Sequence, residues 1–199
     1  MKKLIGSLML KILGWKVVLQ GDVSNLDRCI LVVAPHTHNM EYLLGNLAYW
    51  KLGKKLKIII KDAHTKAWYG SVVRGLGGIG IDRSQKNDLI NFVANEFKKD
   101  DFSLVITPEG TRSWVPKWRK GFYHMALAAK VPIVLAAGDF KRNIVYLGYQ
   151  IPYERLETAS FAEVMKEIQD YYIKNDIGPK IPANWNPNIM GNDAEEVRS

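Results

Sequence analysis

Short, nearly unbroken apolar runs recur along the chain at 16–20 (KVVLQ), 29–34 (CILVVA), 56–60 (LKIII), 78–82 (GIGID), 102–107 (FSLVIT), 131–137 (VPIVLAA) and 143–149 (NIVYLGY). Their length and β-branched content predict strands. Between them, stretches at about 40–52, 65–75, 87–99, 120–130 and 160–174 read as helices. In the third, Asn87 suits an N-cap and Leu89, Ile90, Phe92, Val93 and Phe97 form an apolar face. Strands that alternate with helices and lack a polar face predict a largely parallel central sheet buried between helical layers. The expected class is α/β, a single domain over 16–180, and no repeat, low-complexity tract or linker interrupts residues 16–175.

The two ends differ from this body. Residues 1–15 form an amphipathic N-terminal segment in which Leu4, Leu8, Lys11 and Trp15 fall together at helical spacing while Ile5, Met9, Ile12 and Leu13 widen the apolar sector. Its Lys2-Lys3 start imitates a signal peptide, but Lys11 interrupts the apolar region and no small-residue cleavage site follows, so the segment is expected to be retained. A helix lying at a membrane interface and an ordinary helix packed on its own core both fit these residues. No stretch reaches the ~18 uncharged apolar residues of a spanning helix. Residues 181–199, with two prolines and an acidic end, predict an irregular tail frayed at its terminus.

Charge then narrows the partners. The 199 residues carry 28 Lys+Arg against 20 Asp+Glu, a net +8, and the excess lies in residues 1–149, because 150–199 hold 5 basic and 9 acidic side chains. A nucleic acid, an anionic membrane and a phosphorylated substrate would each be served by such an excess. Cys29, the single cysteine, excludes an intramolecular disulfide and sits in an apolar run, where a buried inert thiol is expected.

Several motif matches lose their force in context. Gly75-Leu76-Gly77-Gly78-Ile79-Gly80 satisfies G-x-G-x-x-G, yet a helix precedes it and a strand follows, the reverse of a dinucleotide site, so its glycines serve a tight turn. His36-Thr37-His38 lacks a third ligand at metal spacing, and His64 and His124 stand isolated, so no metal is expected. Neither G-x-S-x-G nor a P-loop is present.

Two segments carry chemistry. His36 and Glu41 lie where a strand gives way to a helix, five residues apart, and can meet only across a turn. There the carboxylate could hold one imidazole nitrogen and leave the other as a base; a helix-favouring Glu41 beside a loop histidine fits equally. The run 102–107 leads into Pro108-Glu109-Gly110-Thr111-Arg112-Ser113. Arg112 suits a phosphate, Glu109 could accept from a substrate hydroxyl, and Thr111 could donate or accept. Trp114, Lys117, Trp118, Arg119 and Lys120 follow, a basic tryptophan loop that fits a membrane interface or an anionic ligand. Arg83 and Lys61 stand at the ends of two further runs, where a phosphate contact and a salt bridge are both open to them.

Taken in order, these pieces resemble the PlsC-type glycerolipid acyltransferases, the 1-acylglycerol-3-phosphate acyltransferase family. The H-x-x-x-x-D block is matched by His36 through Glu41 with glutamate in place of aspartate; Lys61 through Arg83 match the second block; P-E-G-T-R-S stands unaltered at 108–113; and V-P-I occurs at 131–133. The resemblance spans about residues 30–140. It implies transfer of a fatty acyl group from acyl-carrier protein or coenzyme A to a lysophospholipid hydroxyl, with no other cofactor. By the same resemblance His36 is the general base, Glu41 orients it, Lys61, Arg83 and Arg112 hold the acceptor phosphate, and Glu109, Gly110 and Thr111 shape the acceptor site. No activated nucleophile is evident, so direct attack without an acyl-enzyme is expected. Glu41 leaves two alternatives, an aminolipid acceptor or a weakly catalytic lipid-binding module. A nucleic-acid-binding protein would leave both blocks unexplained, so no nucleic acid is expected as partner. The basic excess and the missing span suit a peripheral or monotopic protein on the cytoplasmic face of the cell membrane, in contact with an anionic surface.

Overall fold

The computed structural model describes residues 1–81 and 89–190, so the Asn87 cap lies outside the described residues. Each of the seven apolar runs becomes a strand: β1 (Lys16–Leu19), β2 (Cys29–Val33), β3 (Leu56–Lys61), β4 (Gly78–Ile81), β5 (Ser103–Ile106), β6 (Ile133–Asp139) and β7 (Ile144–Ile151). They form one sheet in the order β1-β7-β6-β2-β5-β3-β4. Every adjacent pair is parallel except β6 with β7. Only residues 140–143 join that pair, too few for a crossover, and Asn143 takes a positive φ of 55° in the turn.

Both faces of the central strands are covered, which is why their sequences show no polar alternation. Ile30, Val32, Leu104, Ile133 and Leu135 face one core, closed by α5 (Leu89–Lys99), α6 (Gly121–Ala129) and α8 (Phe161–Lys174) through Val93, Phe97, Phe122, Met125 and Ile168. The alternate residues Cys29, Leu31, Val105, Val134 and Ala136 face the other, closed by α1 (Lys2–Ile12) and α2 (Met40–Leu52) through Leu10, Leu44, Leu47 and Tyr49. Close approach of α1 to α2 depends on Gly6, where a Cβ would lie 2.6 Å from the Leu47 carbonyl oxygen. The rest of α1 leaves Leu4, Leu8 and Ile12 exposed.

Three details depart from the sequence expectation. The helix expected over 65–75 is two short ones, α3 (Asp62–Lys66) and α4 (Gly70–Gly75), which meet so tightly that a Cβ on Gly70 would fall 2.0 Å from the Thr65 carbonyl oxygen. A short helix α7 (Tyr153–Thr158) had no periodic signal. Beyond α8 the chain has a single 3-10 turn (Pro182–Asn184) among the described residues and is packed: Ile177 and Ile189 are buried, Ile189 bonds to Trp118 and Gln169, and Trp185 lies against Trp118 and Tyr172. The glycine-rich turn lies between α4 and β4, helix before strand, with Gly77 at φ 91°.

Candidate active site

Strand order assembles the site. β2, β5, β3 and β4 are consecutive and parallel, so the segments that follow them emerge side by side at one end of the sheet. Ligand sites of open α/β sheets form at this carboxyl end. His36 and Glu41 follow β2, residues 108–113 follow β5, and Lys61 ends β3, two strands or roughly 10 Å from β2. Arg83 lies outside the described residues.

The turn at 34–39 closes on Glu41. Its carboxylate accepts from the main-chain N–H of Thr37 at 2.9 and 3.1 Å, from Thr37 Oγ1 at 3.0 Å and from the His38 N–H at 3.0 Å. His36 Nδ1 approaches it at 2.8 Å. A carboxylate already accepting from these donors is an acceptor to the ring too, so Nδ1 is the donor and Nε2 is the ring nitrogen left for other chemistry. The side chain of Glu41 is 2% exposed and that of His36 20%, so the carboxylate is sealed while the imidazole reaches solvent. The longer acid thus makes the contact expected of the family's aspartate. Gly138 on β6 lies beside it, where even a Cβ would stand at ordinary contact distance, 3.7 Å from Glu41 Cγ.

Other residues take roles that the sequence did not suggest. His38 Nδ1 accepts the Met40 N–H and so caps α2. Thr37 Oγ1 also accepts the Ile181 N–H at 3.3 Å, which ties the segment after α8 to the histidine turn; no local pattern in the sequence announces a partner so distant. Trp118, read as part of a basic loop fitting a membrane interface or an anionic ligand, is 5% exposed and packs edge-on to Phe122 and Tyr172 and tilted against Trp185, whereas Trp114 faces solvent.

Among residues 108–113, Arg112 is exposed and donates from Nη1 to Asn39 Oδ1 at 3.0 Å, so it is held beside the histidine turn. Gly110, at φ 70°, lies under Arg119, whose guanidinium carbon would be 2.7 Å from a Cβ at that position. Arg119, read in the sequence only as one charge of the basic tryptophan loop, is exposed like Arg112 and packs on the P-E-G-T-R-S segment. Thr111 is exposed and its Oγ1 accepts from the Ser113 N–H. Glu109 points inward, is 2% exposed, and accepts the His36 main-chain N–H at 2.7 Å.

An apolar cavity begins at His36 and Glu41 and runs between α2 and the sheet past Leu44, Ala136 and Val105 to Tyr49 and Leu56. Nothing along it is an activated nucleophile. Burial pushes the Cys29 thiol up to about 12, and its Sγ sits 3.2 Å from Ser103 Oγ. The arrangement sets one imidazole, oriented by a carboxylate, at an apolar cavity, with the Arg112 guanidinium held by Asn39 of the same turn.

Comparison with known proteins fits this picture. The acyltransferase family model matches residues 16–137. A 1-acyl-sn-glycerol-3-phosphate acyltransferase of Cocos nucifera is 30% identical over 138 residues, covering 65% of this chain and 43% of its own. One of the same name from Saccharomyces cerevisiae is 26% identical over 131 residues, covering 61% of this chain and 42% of its own. The chain thus spans about two fifths of the length of these curated relatives. The crystal structure of the 1-acyl-sn-glycerophosphate acyltransferase PlsC of Thermotoga maritima superposes with a TM-score of 0.58 at 16% identity, covering 88% of this chain and 77% of that one, a likeness of fold.

Proposed function

The chain belongs to the acyltransferase family, and from that premise we propose that it transfers a fatty acyl group from an acyl-carrier protein or coenzyme A thioester to the free hydroxyl of a lysophospholipid. The acceptor is 1-acylglycerol-3-phosphate and the product phosphatidic acid, a choice supported by the names of the two curated relatives and by the Arg112 guanidinium held by Asn39. The observation that carries the reading is the 2.8 Å contact of His36 with Glu41 at the mouth of the apolar cavity.

His36 Nε2 takes the proton of the acceptor hydroxyl as its oxygen attacks the thioester carbonyl, and Glu41 neutralises the imidazolium that forms. Collapse of the tetrahedral intermediate breaks the C–S bond, and the leaving thiolate recovers the proton from His36. Arg112, Arg83 and Lys61 hold the acceptor phosphate, Gly110 and Thr111 line its path, and the acyl chain enters the cavity.

The proposed location is the cytoplasmic face of the cell membrane. No helix among the described residues is long and apolar enough to cross a bilayer. The exposed Leu4, Leu8 and Ile12 of α1, beside a groove lined by Lys2, Lys3, Arg74 and Trp50, suit an anionic interface instead.

A thiol-release assay tests the chemistry with acyl-carrier-protein and coenzyme A donors over a panel of lysolipids. Thiol is expected only when donor and lysolipid are both present, and His36→Ala is expected to lower the rate by about 10²–10⁴-fold. A thiol burst with donor alone, or turnover retained in a folded His36→Ala protein, overturns the mechanism.

A further inference from the structure

His36 is gripped at two points by two different carboxylates. Glu41, from α2, holds its ring at Nδ1, and Glu109, from the loop after β5, holds its main-chain N–H at 2.7 Å. Because β2 and β5 are adjacent and in parallel register at Val32 and Ile106, the second grip crosses from one strand end to the next. It fixes where the histidine's Cα stands, whereas Glu41 fixes how the ring turns. An acceptor molecule has little access to Glu109, since the residue is 2% exposed and one of its oxygens is already engaged.

The groups around Glu109 come from four parts of the fold. His36 approaches from the turn after β2, Glu41 from α2, and Tyr172 from α8, its hydroxyl donating to the carbonyls of Val32 and Ala136. Arg119 belongs to the segment after β5; its main-chain N–H goes to Pro108 and its guanidinium lies against Gly110. Burial pushes the Glu109 carboxyl up to about 7, opposed by the His36 N–H bond and the nearby imidazole, while Glu41 adds repulsion.

Resting on the reading of His36 as the base, we infer that Glu109 is a positioning residue that holds the His36 main chain at the reaction distance and is not a ligand of the acceptor. The distinction matters because the two roles fail differently. A lost acceptor ligand weakens binding in the ground state, whereas a displaced base slows the chemical step.

Two variants and two measurements test this. Glu109→Gln keeps an oxygen that accepts the His36 N–H, so kcat and acceptor KM are expected to stay within about threefold of the parent at neutral pH. Glu109→Ala is expected to lower kcat by about 10²-fold, the cost of roughly 1 Å of misplacement, with acceptor KM little changed. A rise of about tenfold in acceptor KM with kcat preserved, in either variant, overturns the assignment. Should the alanine variant fail to fold, the glutamine variant decides on the same KM and kcat split. The second measurement is independent of turnover: the His36 main-chain amide proton of the full chain, followed in ¹⁵N–¹H spectra at one pH, is expected to lie downfield in the parent and in Glu109→Gln, which keep the acceptor, and to move upfield in Glu109→Ala, which loses it. An amide proton in the same place in all three proteins overturns the inference. An amide proton that moves in Glu109→Ala while the His36→Ala variant still transfers acyl groups upholds the grip and defeats only the reading of His36 as base.

Discussion

One methylene separates Glu41 from the aspartate of the family pattern, and the turn around it is built for the longer side chain. The carboxylate reaches His36 Nδ1 at 2.8 Å while accepting from Thr37 and His38. Shortening it withdraws the acid from partners that do not follow. Glu41→Asp is therefore expected to lower kcat by about 10²-fold in steady-state assays, and an unchanged or faster rate shows that the turn adapts to the shorter acid. Glu109 makes a second prediction at this scale. Its folded value of about 7 exceeds the ordinary 4.5, so the stability it contributes is fully present below about pH 4.5 and is lost as pH rises through about 7. Glu109→Gln removes that slope, and the gap between the two unfolding free energies is expected to change by on the order of 3 kcal/mol between pH 4 and 8. Parallel denaturation curves for the two proteins across that range contradict the prediction. The sequence made His36 and Glu41 legible as a pair because their spacing crosses one turn. It read Glu109 as a substrate contact, since nothing local tells whether a side chain at a strand end turns outward or toward the neighbouring strand.

Elements were legible in proportion to how much of their burial is local. The central strands stand out because both faces of the sheet are covered there, so each is a run of apolar residues; the edge strand β1 is apolar too, although Val18 and Leu19 are exposed. The break at Gly70 is set by backbone contact with Thr65, and α7 is too short for periodicity, so neither leaves a pattern. Helix α1 separates packing from surface within a few residues. Leu10 is buried against α2, whereas Leu8 and Ile12 are exposed. Leu10→Ala is expected to cost ~2–5 kcal/mol in denaturant unfolding. Leu8→Glu with Ile12→Glu is expected to leave stability within about 1 kcal/mol, each site contributing at most a few tenths, and to abolish flotation with anionic vesicles. Undiminished flotation of that double variant removes α1 from the membrane contact.

On the scale of the whole molecule, the sheet order does what no single segment does, setting the segments after β2, β5, β3 and β4 next to one another although they lie far apart along the chain. This convergence was legible only through the family resemblance, because strand order is not written in apolar runs. The packed segment after α8 was not legible at all. It has no periodicity, and its partners Thr37, Trp118 and Gln169 lie in other parts of the chain. Thr37→Val removes the acceptor for the buried turn's bond from Ile181 and a donor to Glu41, and is expected to cost ~1–3 kcal/mol of unfolding free energy together with a fall in kcat. Full activity in that variant shows that Glu41 needs no help from the far end of the chain.

That same bond imposes an order in time. Thr37 and Ile181 are 144 residues apart, so during synthesis the histidine turn leaves the ribosome on the order of ten seconds before the segment that anchors it. Through that interval a nascent chain holds the acid and the base without their tether. The proposed acyl transfer is therefore expected to reach its full rate only once the segment around Ile181 has emerged, and ribosome-stalled chains ending before residue 177 are expected to turn over more slowly than chains carrying residues 177–190 clear of the tunnel.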